Sequence, residues 1–93
     1  MPTYLIERDI PGAGQMTPDD LHGIATKSND VLRSMAAGGK NVQWIQSFVT
    51  SDKIYCLYDA ADASTVREHA KLGGFPADSV EEVKEIIDPS TGD

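Results

Sequence analysis

The spacing of apolar positions divides the chain into short alternating runs and two longer stretches of helical period. Tyr4-Leu5-Ile6-Glu7-Arg8 reads as a first strand, with Tyr4, Ile6 and Arg8 on one face and Leu5 and Glu7 on the other. Ile10-Pro11-Gly12-Ala13-Gly14 ends it. Leu21, Ile24, Ala25, Ser28, Val31, Leu32 and Met35 then fall along one side of a helix. Thr17 is its N-cap, Pro18 its first residue, and Gly38-Gly39 its stop. Val42–Val49 and Ile54–Tyr58 are rich in β-formers around the polar break Thr50-Ser51-Asp52-Lys53, which predicts a hairpin. Simple alternation puts Val42, Trp44, Gln46 and Phe48 on one face of its first strand, and Ile54, Cys56 and Tyr58 on one face of the second. Both hairpin faces thus carry large apolar groups, so the second face is expected to meet another subunit.

A second helix is predicted from about Ala63 to Leu72, capped by Asp62 and closed by Gly73-Gly74, with Pro76 beyond. Its apolar stripe is Ala63, Val66 and Ala70, and His69 stands at the stripe's border. The last segment carries two patterns. Val80, Val83 and Ile87 fit a helical repeat, whereas Val83, Glu85 and Ile87 alternate as in a strand. A final strand would cover a sheet edge, so a strand is expected at about Glu82 to Asp88, followed by a loose tail over 89–93.

The resulting order, βαββαβ, is that of an α+β ferredoxin-like plait: a four-stranded antiparallel sheet in the order 4-1-3-2 with both helices on one face. With 93 residues the chain is one domain, its ordered core spanning about 3–88, and association would help its stability.

Charge and composition narrow the functions. A net charge of −7 argues against a nucleic-acid partner and favours cations. No apolar run reaches membrane-spanning length, and Met1–Ile6 lacks the pattern of a signal peptide, so the cytoplasm is the expected location. The lone Cys56 rules out an internal disulfide and suits a reducing compartment. Gly12-Ala13-Gly14 lacks the Lys-Ser/Thr of a phosphate loop and reads as a turn, and His22 lies off its helix's apolar stripe, as a surface residue would.

His69 carries the most suggestive chemistry. It either faces a pocket under the helix, where a neutral imidazole binds metal or carries protons, or is a half-buried residue bonded to a backbone carbonyl. Glu7 sits mid-strand beside apolar neighbours, either solvated on an open face or buried with a partner.

Tyr4–Arg8, Pro11–Gly14, Val42-Gln43-Trp44, Asp52–Cys56, Glu68-His69-Ala70 and Gly73–Ala77 together resemble a small bacterial family of domains of unknown function that includes an actinobacterial nickel-binding protein. The resemblance runs from Tyr4 to about Pro89. It implies a ferredoxin-like fold, a homodimer and, for some members, nickel binding, but no catalytic set. The matched residues best suited to hold a metal are His69, Glu7 and Cys56, chosen by donor chemistry, with Ni2+ the family's suggestion and Zn2+ or Cu2+ as further candidates. The alternative is a cofactor-free enzyme of the monooxygenase or isomerase kind, in which His69 is the general acid or base, Glu7 its orienting partner or a second acid, and Trp44, Tyr55 and Tyr58 line a pocket between sheet and helices. A dimeric interaction module without bound chemistry is the third reading.

Overall fold

Which side of each strand is buried follows from alternation, and the computed structural model, which describes all 93 residues, shows where that rule holds and where it breaks. Strand β1 (Thr3–Asp9) leads through a 3-10 turn (Ala13–Gln15) to helix α1 (Pro18–Ala37). Strands β2 (Val42–Val49) and β3 (Lys53–Ala60) form the hairpin, and helix α2 (Ala63–Gly73) precedes a short strand β4 (Ser79–Glu82). The sheet order is β2-β3-β1-β4, every neighbouring pair antiparallel. This is the predicted plait.

The helices cover one face. On that side Tyr4 and Ile6 of β1, Ile54, Cys56, Tyr58 and Ala60 of β3, and Val66 of α2 form the core. Ile6 and Val66 are fully buried, which contributes roughly 1.5–3 kcal/mol for each side chain. Thr17 and Asp20 close a reciprocal capping box at the start of α1, and Asp62 accepts from the Thr65 amide at the start of α2. Each cap satisfies amides that the first helical turn leaves without partners.

Two expectations are corrected. The last strand comes earlier than 82–88: the Asp78 amide already bonds the Glu7 carbonyl at 2.9 Å, so pairing begins at once and sets Val80 opposite Ile6. Ile86 and Ile87, placed in that strand by alternation, are exposed instead, and Pro89–Gly92 forms a short 3-10 turn capped by Asp88. In β2 the register slips between Trp44 and Gln46, so that Trp44 faces Tyr58 while Ser47 faces Cys56 and Phe48 faces Tyr55. This bulge at Ile45 swaps the faces beyond it. Gln46 and Phe48 therefore leave the face of Trp44, and Ser47 and Val49 join it.

Candidate functional site

Helix α1 does not close completely on the hairpin. A cavity of about 260 Å³ remains between Leu21, Ile24 and Ser28 of α1 and Trp44, Cys56 and Tyr58 of the strands, with Arg8 and Phe75 in its wall. Ten of its 13 lining residues are hydrophobic, so its polar groups stand out.

Arg8 is the first of them. Alternation along β1 sets it on the face of Tyr4 and Ile6, and it is 3% exposed. Its Nε–H donates to Cys56 Sγ at 3.5 Å, Nη1 to the Pro76 carbonyl at 2.5 Å, and Nη2 to the Tyr58 hydroxyl at 3.4 Å. The guanidinium carbon lies 5.5 Å from the centre of the Phe75 ring and 6.0 Å from that of Tyr58. No carboxylate pairs with it: the ion pairs of the chain involve Arg33, Lys40, Lys53 and Lys84.

His69 lies behind this wall. It is fully buried, in the centre of the α2 stripe formed by Val66, His69, Ala70 and Gly73 and not at its border as the sequence suggested. The apolar count missed this because Gly73, with no side chain, extends the stripe one turn further. His69 Nε2 and Ser28 Oγ are 3.1 Å apart and tie α2 to α1, and the imidazole packs 5.2 Å from the Tyr58 ring and 5.8 Å from that of Phe75. Either tautomer leaves Nδ1 buried without a partner. Burial and then the Arg8 charge push the His69 pKa down to about 4, against an opposing contact with Ser28, so the ring is neutral at pH 7. Burial raises the Tyr58 phenol, with Cys56 adding to the rise and Arg8 opposing it.

The turn after α2 builds the rest of the wall. Gly74 takes the left-handed conformation (φ 70°) that ends the helix, and the Phe75 amide returns to the Ala70 carbonyl at 2.9 Å. This folds the Phe75 ring over Gly73, where a Cβ would stand 2.3 Å from the ring. A side chain at 73 would therefore have to displace the Phe75 ring.

Of the residues singled out from sequence, Cys56, His69, Trp44 and Tyr58 lie in this layer, and Trp44, Cys56 and Tyr58 line the cavity itself. Glu7 and Tyr55 do not belong to it. They pair with each other across β1 and β3, on the sheet face away from the helices, and Glu7 meets Lys53 Nζ there at 3.4 Å. The physical reason is period two: Glu7 is one residue from Arg8, and Tyr55 three from Tyr58. His22 is exposed, as expected. Arg8, Ser28 and Phe75 were not among the candidates, although the Tyr4-Ile6-Arg8 alternation already placed a cation on the buried face.

The family model "Nickel responsive protein SCO4226-like" matches residues 4–83. The chain belongs to that family. The crystal structure of SCO4226 from Streptomyces coelicolor A3(2) superimposes with a TM-score of 0.74 at 24% identity, covering 91% of this chain and 99% of that one. No curated protein sequence matches the chain. For a nickel responsive protein the test is whether donors converge. No three or more His, Cys, Asp or Glu side chains gather within one chain. In the helix-covered layer, Cys56 Sγ already accepts from Arg8, whose charge opposes a dication. The inner layer of a single chain does not fit a nickel ion.

Proposed function

We propose that this protein is a cytoplasmic, nickel-responsive homodimer that binds the divalent metal with donors drawn from two copies. The family match over residues 4–83 carries this reading. Two features support it: a net charge of −7 that favours cations, and a sheet face without helices on which Leu5 and Phe48 are exposed beside Tyr55, Leu57 and Glu7. Of the three expected donors, Glu7 is the one on this face, where a second copy would bring its own Glu7. His69 and Cys56 lie on the other side of the sheet. A catalytic reading is weaker, because the acid–base pair it needs, Glu7 with His69, is split by the sheet, and His69 is held neutral with Nε2 engaged by Ser28.

The test is calorimetric titration of metal-free protein with Ni2+, Zn2+ and Cu2+. Saturable nickel binding at one ion per two chains, weakened at least tenfold in Glu7→Gln, is expected. Absence of binding to all three ions would discard the metal reading. Binding at one ion per chain that survives Glu7→Gln and is lost in Cys56→Ser would move the metal to the inner layer.

A further inference from the structure

Arg8 presents a problem that the nickel reading does not address. A buried charge is ordinarily paired with an opposite charge, because removing it from water is costly. This chain has 15 Asp and Glu against 8 Lys and Arg, yet gives its buried guanidinium none of those carboxylates. Its three protein acceptors are the Cys56 sulfur, the Pro76 carbonyl and the Tyr58 hydroxyl, none of them a carboxylate, and two of its five N–H groups remain without an acceptor. Aromatic faces at 5.5 and 6.0 Å soften the charge without neutralising it. The same guanidinium forms part of the wall of an otherwise apolar cavity.

We infer that the cavity between α1 and the β2–β3 hairpin is a binding site for a small, mainly apolar monocarboxylate, whose carboxylate pairs with Arg8 and whose hydrocarbon body lies among Leu21, Ile24 and Trp44. The size fits: at about 260 Å³ the space lies just below the range of about 300–1,000 Å³ of drug-sized pockets, so it suits a short branched or aromatic acid. The charge fits as well. One guanidinium balances one carboxylate, whereas a phosphate dianion would need further donors that a wall of mostly hydrophobic residues does not offer. The Tyr58 hydroxyl, 3.4 Å from Arg8 Nη2, is a second donor beside the carboxylate position, and burial keeps it protonated. The neutral imidazole of His69 adds no second positive charge, so the site is monovalent.

Trp44 is the single tryptophan of the chain and lines the cavity, so its fluorescence reports occupancy. Nickel-free protein is titrated with benzoate, 3-methylbutanoate, benzyl alcohol and inorganic phosphate. Saturable change with at least one of the two acids is expected, at least tenfold tighter than with benzyl alcohol, and none with phosphate. Arg8→Met should abolish acid binding, and Ala25→Leu, which fills the cavity from α1, should weaken it at least tenfold while leaving Arg8 in place. Equal affinity for acid and alcohol, phosphate binding in place of the acids, or no saturation by either acid in folded wild-type protein would each overturn the inference. Because no nickel is present, these outcomes are independent of the metal reading.

Discussion

At the scale of single residues, three side chains on different elements define the buried layer: Arg8 on β1, His69 on α2 and Ser28 on α1. His69 links this layer to stability. Its folded pKa of about 4 lies below the ordinary value of 6.5, so between those values the unfolded chain binds a proton that the folded chain does not. The stability it contributes is fully present above pH 6.5 and is lost as pH falls toward 4, amounting to about 3 kcal/mol at the acid end. Denaturant unfolding from pH 7.5 to 4.5 should therefore show a steeper decline for wild type than for His69→Gln, the comparison removing the shared contribution of carboxylates. Parallel curves would mean that His69 does not stay neutral in the fold. Full burial also means that His69→Ala creates a cavity and costs stability, which a border position would not. Much of this layer was readable from the chain alone: period two separates Tyr55 from Tyr58 and joins Arg8 to Ile6. The pairing of Ser28 with His69, 41 residues apart, was not, because it depends on how two helices cross.

At the scale of elements, the caps and stops agreed with the sequence because they are local chemistry. Thr17, Asp62 and Gly74 each act on backbone groups within a few residues. Gly73 shows a stronger constraint. In Gly73→Ala the new methyl meets the Phe75 ring at 2.3 Å, so the ring must move off the cavity wall. A loss of about 1–3 kcal/mol in denaturant unfolding is expected, as for other overpacked sites. In a double-mutant cycle Phe75→Leu should recover part of that loss, since the smaller side chain yields to the methyl. Strict additivity would show that the two residues do not press on each other. Element boundaries set by long-range pairing were less legible. The bulge at Ile45 reverses the second half of β2, and no glycine, proline, asparagine or aspartate in Val42–Val49 marks it. Strand β4 was displaced because its start is set by the bond from the Asp78 amide to the Glu7 carbonyl, a contact between distant segments.

At the scale of the whole molecule, one sheet face is covered by two helices and the other carries Leu5, Phe48, Tyr55 and Leu57 without cover. Apolar side chains grouped in this way on a small domain favour self-association. Sedimentation equilibrium should show a dimer for wild type and a monomer for Phe48→Lys combined with Leu57→Lys, with the far-ultraviolet circular dichroism unchanged. A wild-type monomer up to 100 μM, on the order of the concentration at which weak association would appear, would remove the basis of the dimer. If the two-copy nickel site is correct, the same double variant should lose nickel binding while retaining binding of a monocarboxylate in the cavity. The two proposed sites lie on opposite faces of the sheet, so each can fail without the other.

The amino-acid pattern by itself determined the type and order of the first three strands and both α-helices, while the last segment carried two patterns and was expected as a strand only because it would cover a sheet edge. Strand alternation, helical period and terminal caps are set within a few residues of where they act, and the plait follows from connecting them without leaving an open edge. Tertiary structure decided the rest: that β2 bulges, that β4 pairs early, which face of the sheet the helices cover, and that Arg8 stands without a carboxylate in an apolar cavity. Each depends on register or helix crossing, in which a shift of one residue exchanges the faces of a strand, and no local preference specifies that choice.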